Sequence, residues 1–199
     1  TENMSLTRGN DLALAMRLAD AADSITLARY QSIDLIVSTK PDNTPVTDAD
    51  KASEEAIRAL LKSHRPDDGI VGEEFGNDGV GADRYWVIDP IDGTKNFLRG
   101  VPTWATLIGL IEKQSDGSEV VVVGVVSAPA LFRRWYASEG NGAFVMVNKS
   151  APKKISVSQV SEVKDASISY SDFNGWGERL APFQDLLKSA WRARGIGDF

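Results

Sequence analysis

The stretch from Gly69 to Ser138 constrains the fold most, because it strings short runs rich in Val, Ile and aromatic residues behind one another: GIVGEE, YWVID, TWATLIGLIE, VVVVGVVSAP and RRWYAS. Runs of this length and texture read as strands. Asp116-Gly117 separates the two longest, and Asn141-Gly142 follows the last. Both dipeptides favour tight turns, so the strands are expected to pair antiparallel. TWATLIGLIE and VVVVGVVSAP are almost continuously apolar. A strand apolar on both faces needs cover on both, so the sheet is expected to be an inner layer with helices on one side and a further layer on the other.

The helices come first in the chain. From Asp11 to about Tyr30, Leu12, Leu14, Leu18, Ala22, Ile25 and Leu27 recur near helical spacing with no Gly or Pro among them, which predicts a long amphipathic helix. A polar stretch, KPDNTPVTDAD from Lys40 to Asp50, leads into a second stripe of Ala52, Ala56, Ile57, Leu60 and Leu61 that ends before Pro66. Thr47 followed three residues later by Asp50 has the form of a capping box, so both side chains are expected at the head of that helix. Helices followed by an antiparallel run of strands predict an α+β fold. Beyond Lys153, the strand candidates ISVSQ, ASISYS and WRARGI surround a helix candidate from Gly177 to Ala190. A boundary near Lys149 to Lys154 is expected to divide residues 4–150, carrying the site, from the start of a second α/β domain at 151–199.

Charge and cysteine content narrow the function. With 22 Lys and Arg against 28 Asp and Glu, the net charge is −6, which weighs against phosphate-backbone grip on nucleic acid. No run is long and apolar enough for a membrane span, and there is no leader pattern, so a cytoplasmic protein is expected. There is no Cys, which removes thiolate nucleophiles and thiolate metal sites. A metal here would be held by oxygen, pointing to a hard cation such as Mg²⁺.

The segment DPIDGTKN, Asp89 to Asn96, follows the apolar run YWVI. Pro90 is expected to end the strand ladder and turn the chain, bringing Asp89 and Asp92 to one side with the Ile91 carbonyl between them. All three are hard oxygen ligands. Gly93 and Thr94 would then offer free N–H groups at a helix start, an arrangement that receives phosphate. At the end of GIVGEE, Glu73 is expected to point to the same site and Glu74 to be a solvated strand end. Ionised carboxylates so close together repel unless a cation lies among them, so Glu73, Asp89, Ile91 and Asp92 read as a Mg²⁺ site that could take two or more ions. An Asp of the Thr47, Asp48 and Asp50 group, acting through the Thr94 hydroxyl, could then orient an attacking water or accept its proton. Arg99, just past this loop, is a candidate for contact with substrate or a partner subunit. His64 reads as a surface residue, and Trp86, Trp104 and Trp135 as core or interface. The two Asp of DPIDGT are three residues apart, which does not match the DxDGT nucleophile motif of haloacid-dehalogenase phosphatases.

KPDNTPVTDAD, GEE and WVIDPIDGTKNF, in this order, resemble the N-terminal signatures of the inositol monophosphatase superfamily of Mg²⁺-dependent, lithium-sensitive phosphatases. FLRGVPTWATLI, VVSAPALFRRWYASEGNGAF and WRARGIGDF most resemble its bacterial histidinol-phosphate phosphatases. The resemblance runs from about Asp11 to Phe199. It implies a layered αβαβα sandwich, hydrolysis of a small phosphate monoester, two or three Mg²⁺ with Li⁺ inhibitory, and a homodimer. It further implies Glu73, Asp89, Ile91 and Asp92 as metal residues, Gly93 and Thr94 at the phosphate, Asp50, Glu73 and Thr94 in catalysis, and Lys40 beside the phosphate loop. The expected substrate is L-histidinol phosphate, and Asp198 is a candidate to meet its cationic groups. Inositol-1-phosphate, a sugar phosphate, a 3′-phosphoadenosine 5′-phosphate nucleotidase activity, or a non-catalytic metal-binding or phosphometabolite-binding role are the alternatives. The family pattern continues with a Trp-Asp segment, an apolar helix and a Glu-Ala-Gly-Gly turn that are not among these 199 residues. A longer gene product supplying a further metal ligand is therefore expected, the alternative being a truncated protein in which at least one metal site lacks a ligand.

Overall fold

A computed structural model describes residues 2–79 and 81–199. The chain opens with helix α1, Glu2–Arg29, followed by a small hairpin of β1, Val37–Thr39, and β2, Pro45–Thr47. Helix α2, Asp48–His64, starts at Thr47, whose hydroxyl accepts the N–H groups of Ala49 and Asp50 while the Asp50 carboxylate accepts the Thr47 N–H, completing the expected capping box. Helix α1 starts earlier than its apolar stripe suggests. Gly9 alone does not stop a helix, and the first turns are anchored by Arg8, which makes a two-toothed bond to Glu112 at 2.6 and 2.7 Å and reaches Glu139 at 3.2 Å.

The strands that follow are β3, Gly69–Gly72; β4, Gly76–Asp78; and β5, Arg84–Asp92. After the short helix α3, Thr94–Leu98, come β6, Ala105–Lys113; β7, Glu119–Ala128; β8, Arg133–Ser138; β9, Gly142–Val147; and β10, Lys153–Ile155. They form one eight-stranded sheet in the order β10-β9-β8-β7-β6-β5-β3-β4. From β5 to β10 every neighbour is antiparallel and consecutive, as the turn dipeptides predict. Only β3 and β5 run parallel, with Gly72 beside Ile88. The last elements, β11, Ser167–Tyr170, helix α4, Leu180–Ser189, and β12, Arg192–Gly195, make a separate parallel pair joined through the helix.

Alternation along the strands decides what is buried. Trp86 and Ile88 of β5 point inward and join Ile108, Leu110, Val123 and Val125 against Leu14, Leu18 and Ala22 of α1 and Ile57 and Leu61 of α2. Small side chains at Ala15, Ala19 and Ala22 let α1 lie close to this surface. Val87 and Val121, on the opposite face, are exposed. The described residues thus cover one face with helices; the second covering layer expected from the apolar runs is not seen among them.

The parallel pair positions the site. Because β3 and β5 run the same way, both deliver their last residues to one end of the sheet, where acidic side chains collect beside the head of α2.

Candidate active site

Asp89 and Asp92 reach the same place through an irregularity in β5. Asp89 pairs with Leu107 and Asp92 with Ala105, so three steps on β5 face two on β6. Pro90 does not end the ladder, as expected from sequence, but sits in a bulge, and its carbonyl accepts the buried Thr106 hydroxyl at 2.8 Å. In a regular strand residues three apart point to opposite faces; one extra residue reverses the parity and brings the two carboxylates together. The bulge ends at Gly93, the N-cap of α3, at φ 89°. A Cβ there would stand 3.0 Å from the Thr103 carbonyl, so glycine is needed both for the left-handed turn and for the close approach. Helix α3 spans 5 residues, which leaves the Gly93–Thr94 N–H groups near the site but gives them little macrodipole behind.

The parallel pairing continues one residue past β3, where the Glu73 N–H donates to the Ile88 carbonyl at 3.2 Å. Glu73 therefore lies beside Asp89. Burial, then hydrogen bonding with Glu73 and the charges of Glu73, Asp92 and Asp50, push the Asp89 carboxyl up to about 9. Asp89 Oδ1 is buried with no hydrogen-bond partner. A carboxyl that is short of positive charge and has an orphaned oxygen fits a cation bound between it and Glu73. Among the described residues, no three acidic or imidazole side chains already converge as a metal cage. The expected set is assembled in part. The Ile91 carbonyl accepts the Thr94 hydroxyl at 3.1 Å, and the charge acting most on Asp92 is that of Asp198.

Lys40 follows β1 in the turn of the β1–β2 hairpin. Its ammonium bridges Glu73 at 2.6 Å and Glu74 at 2.7 Å. Glu74 is consequently not a solvated strand end: its side chain is 3% exposed, and burial raises its proton affinity against the pull of Lys40. This pairing is non-local and leaves no trace in sequence spacing.

Asp50 is buried at the head of α2, with Oδ2 engaged by the Thr47 N–H at 2.8 Å and the Thr47 hydroxyl at 2.5 Å. Oδ1 faces the Thr94 hydroxyl at 3.4 Å. Burial pushes the Asp50 carboxyl up, opposed by the Thr47 hydrogen bonds. Cap and catalytic candidate are thus one residue, using different oxygens.

Asp92 also borders a cavity of about 280 Å³ shared with Ser169, Ser171 and Asp198. Ser171 donates to Asp198 at 2.6 Å. Burial and the Asp198 charge push the Asp92 carboxyl up, so this cavity carries a field that favours a cationic guest. Asn96 ties the loop after β12 to the segment that follows β5 by donating to the Thr103 and Ile196 carbonyls at 2.7 and 3.1 Å. Arg99 is exposed, with no side-chain hydrogen bond or ion pair among the described residues. Trp86 and Trp104 are core residues.

The family model for inositol monophosphatases matches residues 10–193. A histidinol-phosphatase from Streptomyces coelicolor is 55% identical over 192 residues, 96% of this chain and 71% of that protein. One from Mycobacterium tuberculosis is 52% identical over 192 residues, 96% and 72% of the two chains. Among solved structures, an inositol monophosphatase from Zymomonas mobilis superposes with a TM-score of 0.76 at 30% identity, covering 95% of this chain and 69% of its own.

Proposed function

Because this chain belongs to the inositol monophosphatase family, we propose that it is a Mg²⁺-dependent phosphatase whose substrate is L-histidinol phosphate, released as L-histidinol and inorganic phosphate. The observation that carries the substrate is the acidic cavity formed by Asp92 and Asp198 next to the phosphate loop. Histidinol phosphate bears an ammonium and an imidazole where inositol-1-phosphate bears hydroxyls, so two carboxylates there favour the former. The names of the two relatives above agree with this reading.

Glu73, Asp89, the Ile91 carbonyl and Asp92 are the residues that would hold Mg²⁺, two or three ions in all, with Li⁺ as a competitor. Bound there, Mg²⁺ supplies positive charge to the phosphoryl oxygens and Lewis acidity toward water. The protein groups do the rest. The Gly93 and Thr94 N–H groups face the phosphoryl oxygens, and Lys40 and Arg99 lend positive charge at the rim. The Thr94 hydroxyl donates toward Asp50 and keeps lone pairs that accept an O–H of the attacking water, holding it in line with the leaving oxygen. Asp50, whose proton affinity is raised by burial, is the base that receives the proton relayed through Thr94. Asp198 and Asp92 fix the leaving alcohol by its cationic end. A cytoplasmic homodimer is part of the same reading and rests on family membership.

The test is phosphate release from L-histidinol phosphate and inositol-1-phosphate, each with Mg²⁺ and with chelator. Mg²⁺-dependent turnover preferring histidinol phosphate is expected. Preference for inositol-1-phosphate would overturn the substrate, and turnover undiminished by chelator would overturn the metal chemistry.

A further inference from the structure

Glu54 lies in the middle of α2 and is fully buried, although nothing in the chemistry above uses it. Its carboxylate is spent on the loop that carries Glu73. Oε2 accepts the Glu74 N–H at 2.7 Å, and Oε1 accepts the Phe75 N–H at 3.2 Å. Oε1 also takes the Arg58 Nε–H at 2.8 Å, one helical turn on. The other end of that guanidinium donates to the Gly76 carbonyl. With the Glu73 N–H bound to Ile88, three successive amides and the carbonyl of Gly76 are all held from outside the loop.

Gly72 completes the arrangement. A Cβ at this position would overlap Glu54 Oε1 and lie 2.7 Å from Arg58 Nη2. Its φ is not in the left-handed region, so the glycine is there for space: the carboxylate packs directly on the backbone that precedes Glu73. A charged acceptor on two backbone N–H groups is stronger than a neutral one, and a buried carboxylate that lost them would be costly to leave unpaired.

We propose that Glu54, seated on Gly72 and paired with Arg58, is a positioning residue that sets the Glu73–Glu74 turn so that Glu73 meets Asp89 in a geometry able to hold a divalent cation. The inference rests on the Mg²⁺ reading of the site and deepens it. Outer residues that orient metal ligands commonly change affinity by about 10- to 100-fold when altered.

The experiment measures Mg²⁺ binding by titration calorimetry and amide hydrogen exchange of residues 73–76, on the wild type, Glu54→Gln, Gly72→Ala and the double variant. Glu54→Gln keeps the shape but aims an NH₂ at one of the groups that needs an acceptor. Gly72→Ala keeps the carboxylate and Arg58 but displaces them by steric contact. Both are expected to weaken Mg²⁺ at least about tenfold and to speed exchange at Glu74 and Phe75. The double variant should be little worse than either single one, because both break the same contact. Leu61→Ala, a core truncation away from the loop, controls for general loss of stability: it should lower the melting temperature and leave Mg²⁺ affinity unchanged. Unchanged Mg²⁺ affinity in both loop variants would overturn the positioning role, as would a loss in Leu61→Ala equal to theirs. Absence of Mg²⁺ binding by the wild type would overturn the metal reading itself, and in that case unchanged exchange at Glu74 and Phe75 in Glu54→Gln would separately refute the hold on the loop.

Discussion

The acidic end of the sheet should make the metal-free protein lose stability as the solution becomes more alkaline. Asp89 is held up to about 9 when folded, against an ordinary 3.8. Between pH 5 and 8 the folded state therefore keeps a proton that the unfolded state has lost. A raised carboxyl contributes its full stabilisation below the unfolded value, and that contribution drains away as pH climbs toward the folded one. One proton of difference is a slope of about 1.4 kcal/mol per pH unit, so roughly 4 kcal/mol should be lost from pH 5 to 8. Burial pushes Asp50, Glu74 and Asp92 in the same direction, so their contributions have the same sign as that of Asp89. The carboxyls held low, such as Asp34, Asp42 and Glu112, act at more acidic pH, where folded and unfolded values diverge below the ordinary range. Urea unfolding followed by circular dichroism at four pH values, with chelator and with saturating Mg²⁺, reads the effect. Metal-free wild type should follow the slope, Asp89→Asn should flatten it by about one proton's worth and be the more stable protein at pH 8, and Mg²⁺ should stabilise wild type more at pH 8 than at pH 5. A flat or rising profile in chelator, or an Asp89→Asn profile as steep as wild type, would refute the electrostatic account of the site.

Three further outcomes follow from particular contacts. Asp50→Asn should cut kcat by at least about 100-fold through loss of the base, whereas Thr47→Ala, which removes the cap hydroxyl, should cost about 1 kcal/mol of stability in denaturant titration with a much smaller effect on kcat. Asp198→Asn should raise KM for histidinol phosphate and leave that for inositol-1-phosphate nearly unchanged in steady-state assays; equal effects on both would remove the charge argument. Leu61→Ala, fully buried between the helices and the sheet, should destabilise by about 2–5 kcal/mol, measured by urea unfolding.

What could be read from sequence was local. The capping box of Thr47 and Asp50, the antiparallel run from β5 to β10 and the grouping of Asp89 with Asp92 follow from residues close together in the chain. The αR-breaking and turn-forming chemistry of Pro90 was visible too, but whether the chain turned away or bulged depended on Thr106 and the register of β6. The bridge from Lys40 to Glu73 and Glu74 required the β1–β2 hairpin to fold back over the end of β3. Glu54 had a faint signal. It falls in the same stripe of α2 as Asp50, Ile57 and Leu61, all buried, but a Glu four residues before an Arg reads equally well as a surface pair. Only the small residue at Gly72, on another element, creates the space that lets a carboxylate sit inside.

The parallel seam between β3 and β5 within the eight-stranded sheet also bears on how the protein comes apart. Strands β6 to β10 form a meander whose neighbours are joined by short connections, so they can zip or fray in sequence. β3 joins only after the chain from Gly72 to Arg84 has looped out and back, and Glu73 and Asp89 lie on opposite sides of that joint. Parting the seam would dismantle the acidic cluster while the meander and its helical cover stayed whole. If turnover depends on this cluster, as proposed above, mild denaturant that parts the seam should extinguish turnover before the circular dichroism of the sheet begins to change.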